Sequence, residues 1–431
     1  MKPVPLRIAD LRGIHRLAAD ATVGITDLVE AMHATILRTP VVLRHRSAGR
    51  TSGITGLVYR SVRGVTRLVG TGGDALLEAI GRRVADRASS PEREAALAAL
   101  NGVFGDYLAE SGNPLAIAMA VRAQGAAVPL STAALRTAFP SPSPRLLVLV
   151  HGLCMNDLQW SRRGQDHGAA LAAELGFTPV YLHYNTGRHI SANGREFAAT
   201  MATLVREWPQ PIEQLAVLAH SMGGLVVRSG CHYAALAGDA WLERLQRIVF
   251  LGTPHFGAPL ERAGALVDAL MQVSPYSAPF ARLGKSRSAG IMDLGHAHLR
   301  DEDWQAKHAV ATRRAGASLP LPRGSRCFAI AASRQKHPGP GKRGMRGDGL
   351  VPVDSALGRS SDPRRDLGIP DDRRWIGHGM SHFDLLDRPE VYAKIRHWLA
   401  GDDASNDDVA PRGGVTPIPA VGPADHDKAT G

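Results

Sequence analysis

Five short apolar runs recur through the middle of the chain: LLVLV (146–150), PVYLHY (179–184), LAVLA (215–219), RIVFLG (247–252) and CFAIAA (327–332). Each is bounded by Gly, Pro or polar residues, the pattern of strands buried on both faces. Helical periodicity fills most of the intervals. Apolar strands alternating with helices predict an α/β fold, a mostly parallel sheet with helices on both faces. Trp375-Ile376 marks one further strand. Upstream, LAIAMAVRAQGAAVPL (115–130) reads as two short strands about a Gln-Gly turn, which adds antiparallel strands at one edge. A short helix over 131–138 and the punctuation PSPSP at 140–144 follow.

Residues 1–100 carry helical patterns and no obvious strand. In GITGLVYRSVRGVTRLVG (53–70), wound at ~100° per residue, Ile54, Leu57, Val58, Val62, Val65, Leu68 and Val69 share one face. Arg60, Arg63 and Arg67 share the opposite one. Two arrangements accommodate this: a helix packed on the sheet domain with its Arg face in water, or a basic amphipathic helix on an anionic lipid surface. Amphipathic helices usually cover cores, which favours the first. The expected organisation is a basic N-terminal helical region (1–100), an α/β domain (101–400) with a helical cap insertion over about 255–320, and a disordered tail (401–431) rich in Gly, Pro, Ala and Asp.

Composition narrows the partners. The 431 residues carry a formal net charge of +11, and from Arg38 to Gly70 there are seven Arg and no acid. Such a balance suits nucleic acid, an anionic membrane or an anionic small molecule. No zinc-finger spacing or aromatic-basic RNA-binding run occurs, so no nucleic-acid partner is expected. Peripheral contact with an anionic membrane or lipid surface through residues 38–70 is the expected alternative. Cys154, Cys231 and Cys327 are widely spaced and odd in number, which argues against a disulfide framework and fits a reducing, cytoplasmic setting. The charged N-terminus lacks a signal-peptide core, and no long uncharged apolar run predicts a membrane span.

The chemistry gathers at strand ends. LAVLAHSMGGLVVRS (215–229) reads as strand, sharp turn and helix with Ser221 at the turn. A nucleophile elbow needs small residues two positions either side of the serine, and Ala219 and Gly223 meet that demand. A helix-capping serine is the bland alternative, and it leaves those small neighbours unexplained. The Met222 N–H is one oxyanion donor; the other is the Leu153 N–H, after the strand that ends in His151-Gly152. In this architecture an acid and then a histidine follow the serine in the chain. Asp348, between two Gly, and His382, just before the last amphipathic helix, fill that order; Asp354 and His378 are their rivals. His296 and His298 lack the partners a metal site requires. The loop RQKHPGPGKRGMRG (334–347) holds five Lys or Arg and reads as an exposed loop, with anion capture as its functional alternative.

Together, HGL, AHSMGG, LGTPHFGAP, GDGLVPVDSA and MSHFDLL resemble the lipase/esterase branch of the α/β-hydrolase superfamily, with proteins similar to GPI-inositol deacylases and bacterial lipases nearest. Bacterial lipases of that branch carry A-x-S-x-G, which accommodates Ala219. The resemblance covers about 101–400. It implies Ser221 as nucleophile, Asp348 as acid, His382 as base, Leu153 and Met222 as the oxyanion hole, an acyl-ester or lipid substrate, and no cofactor or metal. A thioesterase, polyester depolymerase or acyltransferase could use the same triad. A different class, a lipid-surface or granule-binding protein with a secondary or inactive hydrolase domain, rests on the basic helix alone.

Overall fold

The computed structural model describes residues 7–36, 53–81, 89–258, 288–305, 318–336 and 347–401. The tail from 402, most of the expected cap (259–287 and 306–317) and most of the basic loop (337–346) lie outside the described residues. Three helices come first: α1 (Ile8–Ile36), α2 (Gly53–Gly81) and α3 (Pro91–Glu110). Then follow β1 (Ala120–Ala123), β2 (Ala126–Ala127), α4 (Thr132–Ala138), β3 (Arg145–Val150), α5 (His167–Leu175), β4 (Thr178–His183) and α6 (Ile190–Glu207). The chain continues with β5 (Gln214–His220), α7 (Met222–Ala237), α8 (Trp241–Arg244) and β6 (Leu245–Leu251). It closes with α9 (Ala289–His296), α10 (Asp301–Gln305), β7 (Arg326–Ser333), α11 (Val353–Ala356), β8 (Arg374–His378) and α12 (Pro389–Ala400).

The described strands form one eight-stranded sheet in the order β2-β1-β4-β3-β5-β6-β7-β8. From β4 to β8 every pairing is parallel; β1 runs antiparallel to β4 and to β2, through a turn at Gln124-Gly125 with positive φ at both residues. Each expected apolar run is a strand here, displaced by at most two residues at either end. The reason is burial: Leu146 to Val150, Leu215 to Ala219 and Ile248 to Leu251 are fully buried. Each such aliphatic side chain contributes roughly 1.5–3 kcal/mol by leaving water. Register matters for function. Val150 lies opposite Ala219, Leu251 opposite Ile330, and Ser333 opposite His378, so the loops that carry the candidate residues leave the same edge of the sheet.

The structure corrects the expectation for the basic helix. α2 packs against α1 and turns its apolar face outward: Leu57, Val65, Leu68 and Val69 are 57–73% exposed, whereas Arg63 is 6% exposed. The cause is charge complementarity supplied from far away in sequence. Arg63 donates to Glu30 at 2.5 Å and to Asp27 at 2.9 Å. Asp74 accepts from Arg12 at 3.0 Å and Arg16 at 2.6 Å. A charged group buried without a partner costs several kcal/mol, so these pairs fix which face turns inward.

α3 belongs with the sheet. Its Ala98, Ala99, Val103 and Leu108 are buried. Glu94, on its first turn, accepts from Arg122 of β1, and the same Arg122 nitrogen reaches Asp157 at 3.0 Å. Glu94 and Asp157, together with His183, are the described residues clustered closely enough to hold a metal, and the Arg122 guanidinium already bridges the two carboxylates.

Candidate active site

Ser221 sits between β5 and α7 with φ 54° and ψ −125°. A non-glycine residue pays of order 1–3 kcal/mol for such a conformation, which persists only where the surroundings enforce it. Three features do so. The Ser221 N–H donates to the Leu251 carbonyl at 2.8 Å, tying the turn to the next strand. At Gly223 a Cβ would collide with the carbonyl oxygens of Val150 and His151, so α7 can start this close to β3 with glycine alone. Ala219, buried at the end of β5, is small enough for the same crowding.

The turn after β3 approaches from the other side. A Cβ on Gly152 would lie 3.0 Å from the Ser221 Cβ, so a bare backbone brings the 151–154 turn against the serine. That turn is held from the end of β4: the Tyr184 hydroxyl donates to the His151 carbonyl at 2.8 Å, and the Cys154 N–H donates to the Thr186 hydroxyl at 3.1 Å. Tyr184 also stacks on the His151 ring at 4.5 Å. The sequence pattern gives Tyr184 to the strand run and leaves Thr186 unread; the signal is the polar YNT (184–186) just past the end of β4. Among the described residues, the N–H groups of Leu153 and Met222 have no hydrogen-bond acceptor. Met222 opens α7, where the helix end carries a partial positive charge.

Asp348 and His382 meet. His382 Nδ1 donates to Asp348 Oδ2 at 2.7 Å, with both side chains buried. The other carboxylate oxygen accepts the N–H groups of Leu350 and Val351, each at 2.8 Å, which leaves the carboxylate little freedom to rotate. His382 Nε2 is buried and has no hydrogen-bond partner, and the Ser221 hydroxyl makes no capping bond to α7. The imidazole lies against Gly252, next to the Leu251 carbonyl that holds Ser221, and 4.7 Å from the His220 ring. The rivals stand apart. Asp354 is exposed in the first turn of α11, and His378 ends the edge strand β8 paired with Ser333. His298 pairs with Asp293 at 3.4 Å, and His296 bonds the Met292 carbonyl.

The sheet order, the parallel core and the strand-turn-helix at Ser221 decide the architecture. The fold is that of the α/β-hydrolases. Residues 143–316 match the model of the PGAP1-like alpha/beta domain, a segment that holds Leu153, Ser221 and Met222 and ends before Asp348 and His382. Among solved structures, the mature form of the Bacillus licheniformis lipase BlEst2 is 17% identical, covering 60% of this chain and 94% of its own, with a TM-score of 0.40. Aspergillus fumigatus lipase B is 14% identical over 64% of this chain and 59% of its own, with a TM-score of 0.38. The Pyrococcus furiosus esterase Pf2001 is 13% identical over 60% of this chain and 80% of its own, at 0.35. Among curated proteins the sequence has no match.

In this α/β-hydrolase fold a cavity of about 210 Å³ is lined by Cys154, Met155, Gln159, Arg162 and Phe383, the first and last of them chain neighbours of Leu153 and His382. Arg162 is tied at 2.8 Å to Asp387. Burial pushes the Cys154 thiol up to about 12, so it stays protonated beside the cavity. No helix among the described residues is long and apolar enough to cross a membrane.

Four further histidines are buried around or behind the site. Burial holds His151 down at about 4, and His183, His220 and His255 well below the ordinary histidine range. Their neutral forms are favoured in the folded state, so the stability they contribute is complete above the unfolded value and lost as pH falls toward the folded one. The melting temperature should therefore decline as pH falls from about 6.5 toward about 4. Thermal melts that stay flat between those limits would contradict neutral burial of these imidazoles.

Proposed function

We propose that the protein is a serine carboxylic-ester hydrolase acting on lipid-like acyl esters. The reaction uses Ser221 as nucleophile, His382 as general base and acid, and Asp348 as the group that orients His382. The observation that carries this reading is His382: its Nδ1 is fixed by a buried carboxylate, and its Nε2 is buried without a hydrogen-bond partner in a ring packed against Gly252 and His220, the neighbours of the strained Ser221 turn.

On substrate binding, Nε2 accepts the Ser221 proton as Oγ attacks the ester carbonyl. Hydrogen bonds of this kind are commonly open before substrate arrives. Charge develops on the carbonyl oxygen, where the N–H groups of Leu153 and Met222 and the start of α7 stabilise it. Asp348 keeps the Nδ1–H tautomer and stabilises the imidazolium. Collapse of the tetrahedral intermediate breaks the ester C–O bond, and His382 returns its proton to the departing alcohol. Water, deprotonated by the same Nε2, then cleaves the acyl-enzyme and restores Ser221.

The direct test is labelling of the full chain with a fluorophosphonate, which reacts with activated serines. The folded protein should label at a single site, recovered by peptide mapping on the segment that contains Ser221. A nitrophenyl-ester series then sets the acyl length. A folded protein that neither labels nor turns over any acyl ester would overturn the reading.

A further inference from the structure

The outward face of α2 is chemically unlike the rest of the surface. Of the sixteen large apolar side chains that are exposed among the described residues, eight lie on α2 and four on α1. Those of α2 are 40–73% exposed, with Leu68, Leu76 and Val65 the most open. They follow one stripe along a 29-residue helix, about 43 Å long at ~1.5 Å per residue. Between them the stripe holds Ser61, Gly72, Ala75 and Ala79 and no charge. Soluble monomers seldom present an apolar surface of this extent unless something covers it.

Charge identifies the covering. Arg60 and Arg67 are exposed on the polar side of α2 and have no carboxylate partner among the described residues; the Arg60 Nε bonds only the Gly56 carbonyl of its own helix. No acid occurs from 53 to 73. The two acids farther along, Asp74 and Glu78, are already engaged by Arg12 and Arg16. The sequence joining α1 to α2 adds Arg38, Arg44, Arg46 and Arg50, again without an acid. A second copy meeting this face would cover the stripe but leave Arg60 and Arg67, on the opposite side of the helix, unanswered. A phospholipid surface answers both properties, since acyl chains receive the stripe while long arginine side chains reach up to phosphate. We infer that α2 is a docking element that lies in the plane of an anionic phospholipid surface, with its Val/Leu stripe toward the acyl chains and Arg60 and Arg67 at the headgroups. This holds whatever chemistry Ser221 performs.

The test is co-sedimentation of the full chain, carrying Ser221→Ala so that no lipid is consumed, with phosphatidylcholine vesicles made with and without phosphatidylglycerol. The chain should bind the phosphatidylglycerol vesicles, and added salt should weaken the binding. Val65→Glu with Leu68→Glu should weaken it at least about tenfold. Arg60→Ala with Arg67→Ala should weaken it about tenfold on the anionic vesicles and leave the neutral ones unaffected. In a chain with Ser221 intact, turnover of a water-soluble ester by the Val65→Glu/Leu68→Glu variant should match the parent, which reports an intact fold. Three results would overturn the inference: no vesicle binding by the parent, equal binding by the glutamate variant, or a dimer in light scattering that the glutamate substitutions dissociate. Vesicle binding without ester turnover would uphold the docking element and remove the proposed reaction.

Discussion

Ser221→Ala is expected to lower kcat on a soluble nitrophenyl ester about 10⁶-fold, the scale seen when a hydrolase loses its serine nucleophile, and to abolish fluorophosphonate labelling. That is about 8 kcal/mol of transition-state stabilisation at ~1.36 kcal/mol per factor of ten. The fold should survive, because the hydroxyl makes no capping bond to α7 and the turn is held by the Ser221 N–H and Gly223. A glycine at 221 should be equally inactive yet melt higher, since φ 54° costs glycine little. Such a gain would measure the strain stored at the turn. An alanine variant that retains turnover within tenfold of the parent would place the nucleophile elsewhere.

The second large effect concerns Asp348. Asparagine there keeps an oxygen for the N–H groups of Leu350 and Val351 but presents N–H to His382 Nδ1 in place of an acceptor. The imidazole then carries its proton on Nε2, where it cannot accept one from Ser221. A loss of about 10⁴-fold in kcat follows, with KM little changed, because the fault lies in proton transfer and not in binding. Asp354→Ala and His378→Ala, at exposed and edge positions, should stay within a few-fold of the parent. Steady-state kinetics of the three variants decide the matter. A loss at Asp354→Ala or His378→Ala as large as that of Asp348→Asn would dissolve the proposed pair.

What the chain discloses by itself depends on how local the physics is. A parallel strand covered on both faces has to be apolar almost throughout, so LLVLV and LAVLA announce themselves, and strict steric demands make the Ser221 turn legible from Ala219 and Gly223. Asp348 and His382 are legible through chain order, yet their hydrogen bond spans 34 residues and only the fold closes it. The orientation of α2 was misread because its deciding partners, Glu30, Asp27, Arg12 and Arg16, sit on another helix. An amphipathic pattern says that two faces differ; it does not say which one is wet. The holding roles of Tyr184 and Thr186 are not legible for a similar reason, since they act on the turn that ends β3 from the end of β4.

α3 crosses the point, near residue 100, where composition alone would divide the chain. Its Arg93 reaches back to Asp10 of α1 at 2.6 Å, while the adjacent Glu94 reaches forward to Arg122 of β1, which in turn holds Asp157 just beyond the turn that carries Leu153. Neighbouring side chains thus tie α1 to the segment that follows the β3 turn. A protein trimmed to begin at 101 would strand the Arg122 guanidinium with a single acid and open the packing around Val103 and Leu108. A truncation that keeps the sheet's contacts should therefore begin before Pro91, with Ser89 and Ser90, whose hydroxyls bond Glu94 and cap the helix.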